Sequence, residues 1–499
     1  MAIKESAASI VPLPNRREGS NLLTKVEVEM RKIRKQQKTE EATQLKLEVV
    51  SGNLVFTGTD GISNRDQSRA ELISRLKQQK TLTTNILERI VDYGNLDKAY
   101  RQVKKNKGNA GVDEMSIPEL RDWLGTHYQE LQEDLLEENY NVGAVKKVEI
   151  PKTSGGKRLL GIPTVKDRMV QQAIHQELNR HYEPYFSDYS FGFRPGRNAW
   201  QAIEQASEYV SQGYEWVVDI DMEKFFDKIN HDRLMQRLSK GIGDKRLLRL
   251  INSYLKTGIM VDGLVEQRIA GTPQGSPLSP LLSNIVLDEL DMELEKRGHK
   301  FCRYADDCNI FVRSKQSGER VLSSLIKFIE GKLKLKVNKE KSGVGHCSKV
   351  KFLGYTVMPE GKIRTADKSI ERLKGKLKEI TKRNRGVKLE QVIEEVNRVI
   401  IGWTNYFYLS NCWLSDYRGI DSWLRRKLRC YRLKQCDRKY TIFKFLRSFD
   451  LPVNSCWNAI MYSQGWWVMS NKATVRKAMG IRYFNELGLQ SFTNRMSDG

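Results

Sequence analysis

Hydrophobic and polar positions alternate with different periods along the chain, and the period changes twice. Over residues 1 to about 70 no period is sustained; charges of both signs are mixed, and "MRKIRKQQKTEEATQLKLEVV" reads as a marginal helix or a solvated segment. Helical spacing begins near "SRAELISRLKQQK", and "NLDKAYRQVKKNKGNAGVD" forms a basic helix stopped by Gly108, Asn109 and Gly111. From about residue 140 to 360 strands and helices mix. "AVKKVEIPK" and "KRLLGIP" are short strands around the turn "TSGG", and "WVVDID" is a buried strand leading into the helical "FFDKINHDRLMQRL". "SPLSPLLSNIVLDELDMELEKR" is a helix with Ser279 as N-cap and Pro280 at the first helical position, and "KVKFLGYTV" reads as a further strand. After about residue 368 the pattern is helical, through "KSIERLKGKLKEITKRN", "LEQVIEEVNRVIIGW" and "SWLRRKLRCYRLKQCDRK". The order predicts an α+β region over 71–368, preceded by an extension over 1–70 and followed by a helical region over 369–499.

One strand-like segment is interrupted. In "FCRYADDCNIFV", residues 301–312, the adjacent carboxylates Asp306 and Asp307 break an apolar run. Burying two like charges costs several kcal/mol unless something positive lies between them. A strand–turn–strand reading puts the pair at the tight turn of a hairpin, where both can face one cleft. "WVVDIDMEKFFDKI" adds Asp219 and Asp221, at i and i+2 on one face of a strand. Carboxylates converging from two strands suit hard, oxygen-seeking cations, normally Mg²⁺. A pair of such ions serves nucleotidyl transfer, one at a primer 3′-hydroxyl and one at the triphosphate. Taken singly, an adjacent acidic pair is more often a solvated turn than a metal site, and the D-I-D pair alone is no stronger.

Composition narrows the partners. The 499-residue chain is 39% hydrophobic, enough for real cores, and carries a formal net charge of +24, which points to a polyanion such as nucleic acid. No run approaches the roughly 18 apolar residues of a membrane span, so no membrane partner is expected. The first residues lack the apolar core of a signal peptide. Seven cysteines without a C-x-x-C pair disfavour a disulfide framework or zinc ribbon, and fit a reducing cytoplasm. Residues 371–499 hold 25 Lys and Arg against 11 Asp and Glu, and six of the nine tryptophans. Basic helices interleaved with aromatics suit structured RNA. Trp423, Arg425, Arg426, Lys427 and Arg429 crowd one segment, with 425 and 429 on one helical face.

The motifs "YADD" (304–307), "DMEKFFD" (221–227) and "GTPQGSPLSPLLSN" (271–284) resemble those of reverse transcriptases. Their form and spacing are most similar to proteins encoded within bacterial group II introns. "IPKTSGGKRLLGIPTVKDRMVQQAI" and "FGFRPGRNAWQAI" are similar to that family's finger and palm blocks, and "IIGWTNYFYLSN" to the start of its maturase-specific region. The resemblance covers roughly residues 85 to 495. It implies a right-hand polymerase, with fingers and palm followed by an α-helical thumb and maturase region. Asp221, Asp306 and Asp307 then become the metal-binding catalytic carboxylates, with two Mg²⁺ ions and Mn²⁺ as a possible substitute. Asp221 is chosen over Asp219 because Phe226 follows it by five positions, where the family places the ring that crowds a ribose 2′-hydroxyl. Lys152 and Arg158 flank a turn that can reach a triphosphate; "SGGKR" is no P-loop, since Arg replaces Ser or Thr after Gly-Lys. Gln274 and Gly275 fall where the family contacts the nascent base pair. Lys341 matches a lysine proposed as general acid for pyrophosphate, and Phe352, Leu353, Gly354 and Tyr355 match the primer grip. Cys302 and Cys308 are read as small core residues, and His231 as structural.

Many intron-encoded relatives append an endonuclease with histidine and cysteine metal ligands. Here no histidine lies beyond His346, and Cys430 and Cys436 have no ligand-like partners, so that module is expected to be absent. Priming from a nascent strand or another pre-existing 3′ end is then expected. The resemblance implies an RNA-directed DNA polymerase and splicing maturase. Its partners would be group II intron RNA, an RNA template with DNA primer or target DNA, and dNTPs. Other readings are a domesticated relative in phage defence or DNA repair, a non-enzymatic RNA-binding splicing factor, and an RNA-dependent RNA polymerase. Intact Asp221, Asp306, Asp307, Phe226 and Gln274 oppose the splicing-factor reading, and Phe226 with the Y-A-D-D turn disfavours the RNA polymerase.

Overall fold

The computed structural model describes residues 85–151, 157–261, 264–266, 270–272 and 275–497. The expected extension over 1–70 and the periodic "SRAELISRLKQQK" lie outside the described residues. Three helices come first, α1 (Ile86–Val91), α2 (Tyr93–Asn106) and α3 (Ile117–Leu136). Asp92 accepts hydrogen bonds from Gly94 N and Asn95 N to start α2, and a Ser116–Glu119 capping box starts α3. The hairpin β1 (Val145–Pro151) and β2 (Lys157–Ile162) pairs antiparallel, with Ile150 opposite Arg158, and α4 (Val165–Tyr182) follows, capped by Thr164.

The next stretch builds the centre: α5 (Ala199–Ser211), β3 (Trp216–Ile220), α6 (Phe225–Lys228), α7 (His231–Gly241) and α8 (Lys245–Lys256). After them come β4 (Ile259–Val261), β5 (Leu264–Glu266) and α9 (Ser279–Lys296). The hairpin β6 (Lys300–Tyr304) and β7 (Asp307–Val312) then leads to α10 (Lys315–Phe328) and β8 (Gly343–His346). Strand order is β6-β7-β3-β8 in the central sheet, antiparallel throughout, and β2-β1-β4-β5 in the first sheet. The central sheet is covered on both faces. Val218, Ile220, Cys308 and Ile310 pack into the main core against the helices, whereas Val217, Cys302 and Phe311 face a second cluster containing Tyr355 and Phe407. A two-sided burial of this kind explains why "WVVDID" and "CNIFV" are apolar runs rather than strict alternations.

The chain ends in helices. A short pair, β9 (Tyr355–Val357) and β10 (Ile363–Thr365), precedes α11 (Asp367–Ile380), α12 (Leu389–Phe407) and α13 (Leu414–Cys436). Their apolar stripes form a separate core of Leu373, Leu377, Val392, Val396, Leu424 and Leu428, joined by residues from the shorter helices up to Met496.

Three sequence expectations change. "FFDKINHDRLMQRL" is two helices, because Ile229 is extended and Asn230 accepts a hydrogen bond from Arg233 N to cap a new one. Ser279 lies inside the first turn of α9, not at its N-cap; Leu278 holds that place, and Ser276 Oγ accepts from Leu278 N. "KVKFLGYTV" is not one strand. Phe352 and Tyr355 exchange backbone hydrogen bonds of 2.9 Å around Leu353 (φ +50°) and Gly354 (φ +92°), a two-residue turn of type I′ character.

Candidate active site

The acidic residues meet because β3 and β7 are neighbours. Asp219 is in register with Asn309 on β7 and with Gly343 on β8, and Asp307 closes the β6–β7 hairpin opposite Tyr304. Alternation along the strands then puts Asp219 and Asp221 on one face, and Asp307 and Asn309 on the matching face of β7. Asp219, Asp221 and Asp307 line one cavity of about 810 Å³ with Lys341 and Lys351. Asp306 is half-buried in the turn itself, after Ala305 at φ +58°.

Burial, then the charges of Asp307 and Asp221, push the Asp219 carboxyl up to about 7. Asp307 is pushed up to about 6 by burial and then by Asp306 and Asp221, against the pull of Lys351 and Lys341. Lys341 Nζ lies 3.6 Å from Asp221 Oδ2. No three His, Cys, Asp or Glu side chains among the described residues are assembled as a metal cage. The donor set nevertheless suits a hard cation. Burial, and after it the charge of neighbouring carboxylates, raises two of its carboxyls, and Asn309 keeps a buried Oδ1 without a hydrogen-bond partner in register with Asp219.

Backbone bonds hold this geometry. Asp221 N donates to Ser342 Oγ at 2.9 Å, Asn338 N to Asp221 O at 2.9 Å, and Glu223 N to Lys336 O at 2.8 Å, which ties the Lys341 loop to the end of β3. Phe226, on α6, is half-buried, and its carbonyl accepts from Thr272 N at 2.7 Å. At Gly271 (φ +86°) a Cβ would stand 2.7 Å from the carbonyl oxygens of Phe226 and Asp227; at Gly275 (φ +117°) it would stand 2.8 Å from Gly161 O. Glycine lets the backbone pass close to α6 at 271 and close to β2 at 275. Arg158 sits on β2 opposite Ile150, whereas Lys152 and Gln274 lie outside the described residues.

The turn at 352–355 divides its labour. Phe352 and Tyr355 are buried anchors, while Leu353 and Gly354 at the tip line a second cavity of about 760 Å³ with Asp307, Lys351, Arg372, Lys376 and Arg398. The tip is fastened to the helical region: Tyr406 Oη donates to Leu353 O at 2.8 Å, Ser369 Oγ to Gly354 O at 3.0 Å, and Tyr355 Oη to Tyr406 O.

Residues 150–357 match the model of the reverse transcriptase (RNA-dependent DNA polymerase) family, and residues 370–448 match the group II intron maturase-specific domain. Protein YkfC of Escherichia coli K12 is 31% identical over 304 residues, covering 53% of this chain and 80% of that protein. The chain belongs to the group II intron reverse transcriptase family. Group II intron-encoded protein LtrA of Lactococcus lactis subsp. cremoris is 28% identical over 351 residues, which are 55% of this chain and 58% of LtrA. The putative COX1/OXI3 intron 2 protein of Saccharomyces cerevisiae is 30% identical over 338 residues, 56% of this chain and 39% of that protein. The chain thus spans four-fifths of YkfC but well under two-thirds of the two intron-related proteins. Reverse transcriptases as a family use divalent metal ions, and the two matched domains together imply RNA binding.

For a group II intron reverse transcriptase, the basic segment of α13 is partly a surface and partly a core. Trp423 packs half-buried on the helical core, and Lys427 Nζ lies 5.8 Å from its ring centre and 5.2 Å from that of Trp467. The Arg426 guanidinium stacks 3.8 Å from the Trp467 ring and donates to Trp467 O. Arg425 is half-exposed. Arg429 corrects the expectation of one exposed face: it is buried, and its guanidinium donates to Ser470 O at 2.9 Å and Met479 O at 3.3 Å. Burial, then the nearby Arg425 and Arg476 charges, lower it to about 10.

Sequence reasoning under-used Asp219 and missed Arg303. Arg303 is fully buried, with its guanidinium donating to both Asp291 oxygens, to Asn284 Oδ1 at 3.0 Å and to Ala305 O at 2.9 Å. It therefore holds the carbonyl inside the acidic turn. The available signal was an arginine in the middle of the apolar run 301–305, where a charge needs a buried partner.

Proposed function

We propose that the protein is an RNA-directed DNA polymerase and RNA-splicing maturase that binds group II intron RNA, assists its splicing and copies it into DNA during intron mobility. One observation carries this reading. The cavity holding Asp221, Asp307 and Lys341 adjoins, through Asp307 and Lys351, a second cavity bearing Arg372, Lys376 and Arg398. An acidic centre opening onto a basic groove is the arrangement a primer–template duplex needs, since phosphates run along the cations while the terminus meets the carboxylates.

In this reading residues 71–368 form the fingers and palm, and residues 369–499 the thumb and RNA-binding region. Asp221, Asp306 and Asp307 would hold two Mg²⁺ ions, or Mn²⁺ in their place. Bound there, such ions activate a hydroxyl and neutralise phosphate charge. The chain's own residues do the rest. Lys341, at 3.6 Å from Asp221, is stationed to give a proton to departing pyrophosphate. Lys152 and Arg158 take the triphosphate of an incoming dNTP, Gln274 and Gly275 the new base pair, and Phe226 the sugar edge. Leu353 and Gly354 press on the primer, positioned by the buried Phe352 and Tyr355. Trp423, Arg425, Arg426 and Lys427 contribute to intron RNA binding.

The test is templated extension. Purified protein with Mg²⁺ should add dNTPs to a DNA primer on an RNA template, and Asp221→Asn or Asp307→Asn should abolish addition while RNA affinity stays within about twofold of wild type, because no phosphate-facing cation is removed. Wild-type-like extension by either variant would sink the assignment of the carboxylates.

A further inference from the structure

The loop carrying "FGFRPG" has no role in the reading above, yet it is anchored at several points to the acidic turn and its supports. Phe191 N donates to Arg303 O at 2.8 Å, and Arg303 N donates to Tyr189 O at 2.9 Å, so the loop runs beside β6. Asn284 Nδ2 donates to Gly192 O at 2.9 Å. A Cβ at Gly192 would fall on Ala305 N, in the acidic turn, so no other residue fits there. Arg194 is buried and pins the far side, with Nε donating to Glu183 Oε1 at 3.0 Å and Nη1 to Ser190 O at 2.7 Å.

Between these anchors Phe193 is forced to φ +60° and remains 45% exposed. A bulky side chain in the left-handed region is strained, and this one gains little burial in return. Stability alone would favour glycine or asparagine at the position. Such strain persists where the surroundings over-determine it, and it concentrates at functional sites. Its ring contact among the described residues explains the placement. The Phe193 ring stands edge-on to Phe226, with centroids 6.5 Å apart and planes at 72°. Phe226 meets Phe225 on its other flank at 5.3 Å and 74°, and Phe225 is a core residue. Thr272 and Gly271 fix the Phe226 backbone, so its ring is held by Phe225 from the core and by Phe193 from the open side.

We propose that Phe193 is a positioning residue for sugar selection: it holds the Phe226 ring against the 2′-position of the incoming nucleotide and so sets the preference for deoxynucleotides over ribonucleotides. This rests on the polymerase reading, and the experiment separates the two. Single-nucleotide addition on an RNA template with a DNA primer gives kcat/KM for a dNTP and the matching rNTP. Phe193→Ala and Phe193→Gly should raise the rNTP/dNTP ratio of kcat/KM by about two- to tenfold, the range an edge-to-face ring pair supplies. Phe193→Tyr, which keeps the ring, should retain the wild-type ratio. Phe193→Gly should also keep or raise Tm, because it relieves the positive φ; a purely structural residue would lower Tm and leave the ratio alone. In a Phe226→Ala background, Phe193→Ala should add no further change. An unchanged ratio in Phe193→Ala and Phe193→Gly, or a full additive effect in the Phe226→Ala background, would overturn the proposal while the polymerase stands. Absence of any templated dNTP addition by the wild type would overturn both.

Discussion

Asp219 offers the most direct physical test of the acidic centre. Its carboxyl is raised from 3.8 to about 7, first by burial and then by Asp307 and Asp221. A carboxyl raised in the folded state is protonated there at pH values where the unfolded chain has already ionised. Its contribution to stability is therefore complete below pH 3.8 and is lost as pH climbs through about 7. A shift of about three units corresponds to about 4 kcal/mol at full ionisation. Asp219 lines an open cavity beside Lys341, and that screening reduces the expected penalty to about 1–2 kcal/mol. Asp219→Asn removes it. The assay is hydrogen exchange of the β3 peptide around residues 216–222, comparing wild type and variant at the same pH in chelator, so intrinsic rates cancel. At pH 8 the variant should be protected about five- to thirtyfold more than wild type, at pH 5 the gap should be clearly smaller, and below pH 3.8 the two should converge. Saturating Mg²⁺ should raise wild-type protection more than that of the variant, because a cation offsets charge only where charge remains. Equal protection of the two proteins at pH 8 in chelator, or a less protected variant, would refute the argument that burial and the neighbouring carboxylates penalise an ionised Asp219.

Other perturbations test the supports of the site. Arg303→Met leaves Asp291 buried without its partner and should cost about 3–5 kcal/mol in urea unfolding; a loss below about 1 kcal/mol would mean the pair is dispensable. Arg429→Ala strips the donors from Ser470 O and Met479 O and should destabilise by about 2–3 kcal/mol, whereas Arg425→Ala should leave unfolding within about 0.5 kcal/mol and instead flatten the salt dependence of RNA binding. The opposite pattern would place Arg429 on the RNA and Arg425 in the fold. Gly275→Ala drives a Cβ onto Gly161 O at φ +117°, so kcat/KM for dNTP addition should fall at least tenfold with little change in the overall circular dichroism spectrum; unchanged kinetics would free that loop from the site.

Much of the acidic centre was legible in the linear chain because strands have a short, fixed period. Two carboxylates at i and i+2 must share a face, and an apolar run broken by Asp306 and Asp307 reads as two strands and a turn. The helical region was legible for a similar reason, since amphipathic spacing needs no partner to be seen. Tertiary structure decided what depends on which strand lies beside which. Only the β6-β7-β3-β8 order brings Asp219 into register with Asn309 and shows that it shares the cavity with Asp221 and Asp307. Only packing shows that one arginine of the basic run, Arg429, is spent inside the core while Arg425 is left half-exposed, because helical spacing alone does not say where the next helices will land. Left-handed residues such as Phe193 and Leu353 carry no local signature either. Their backbone angles are imposed by contacts made more than a hundred residues away in the first case, through Arg303, and by a hairpin closing on a helix in the second, so the information lies in the fold and not in the neighbouring residues.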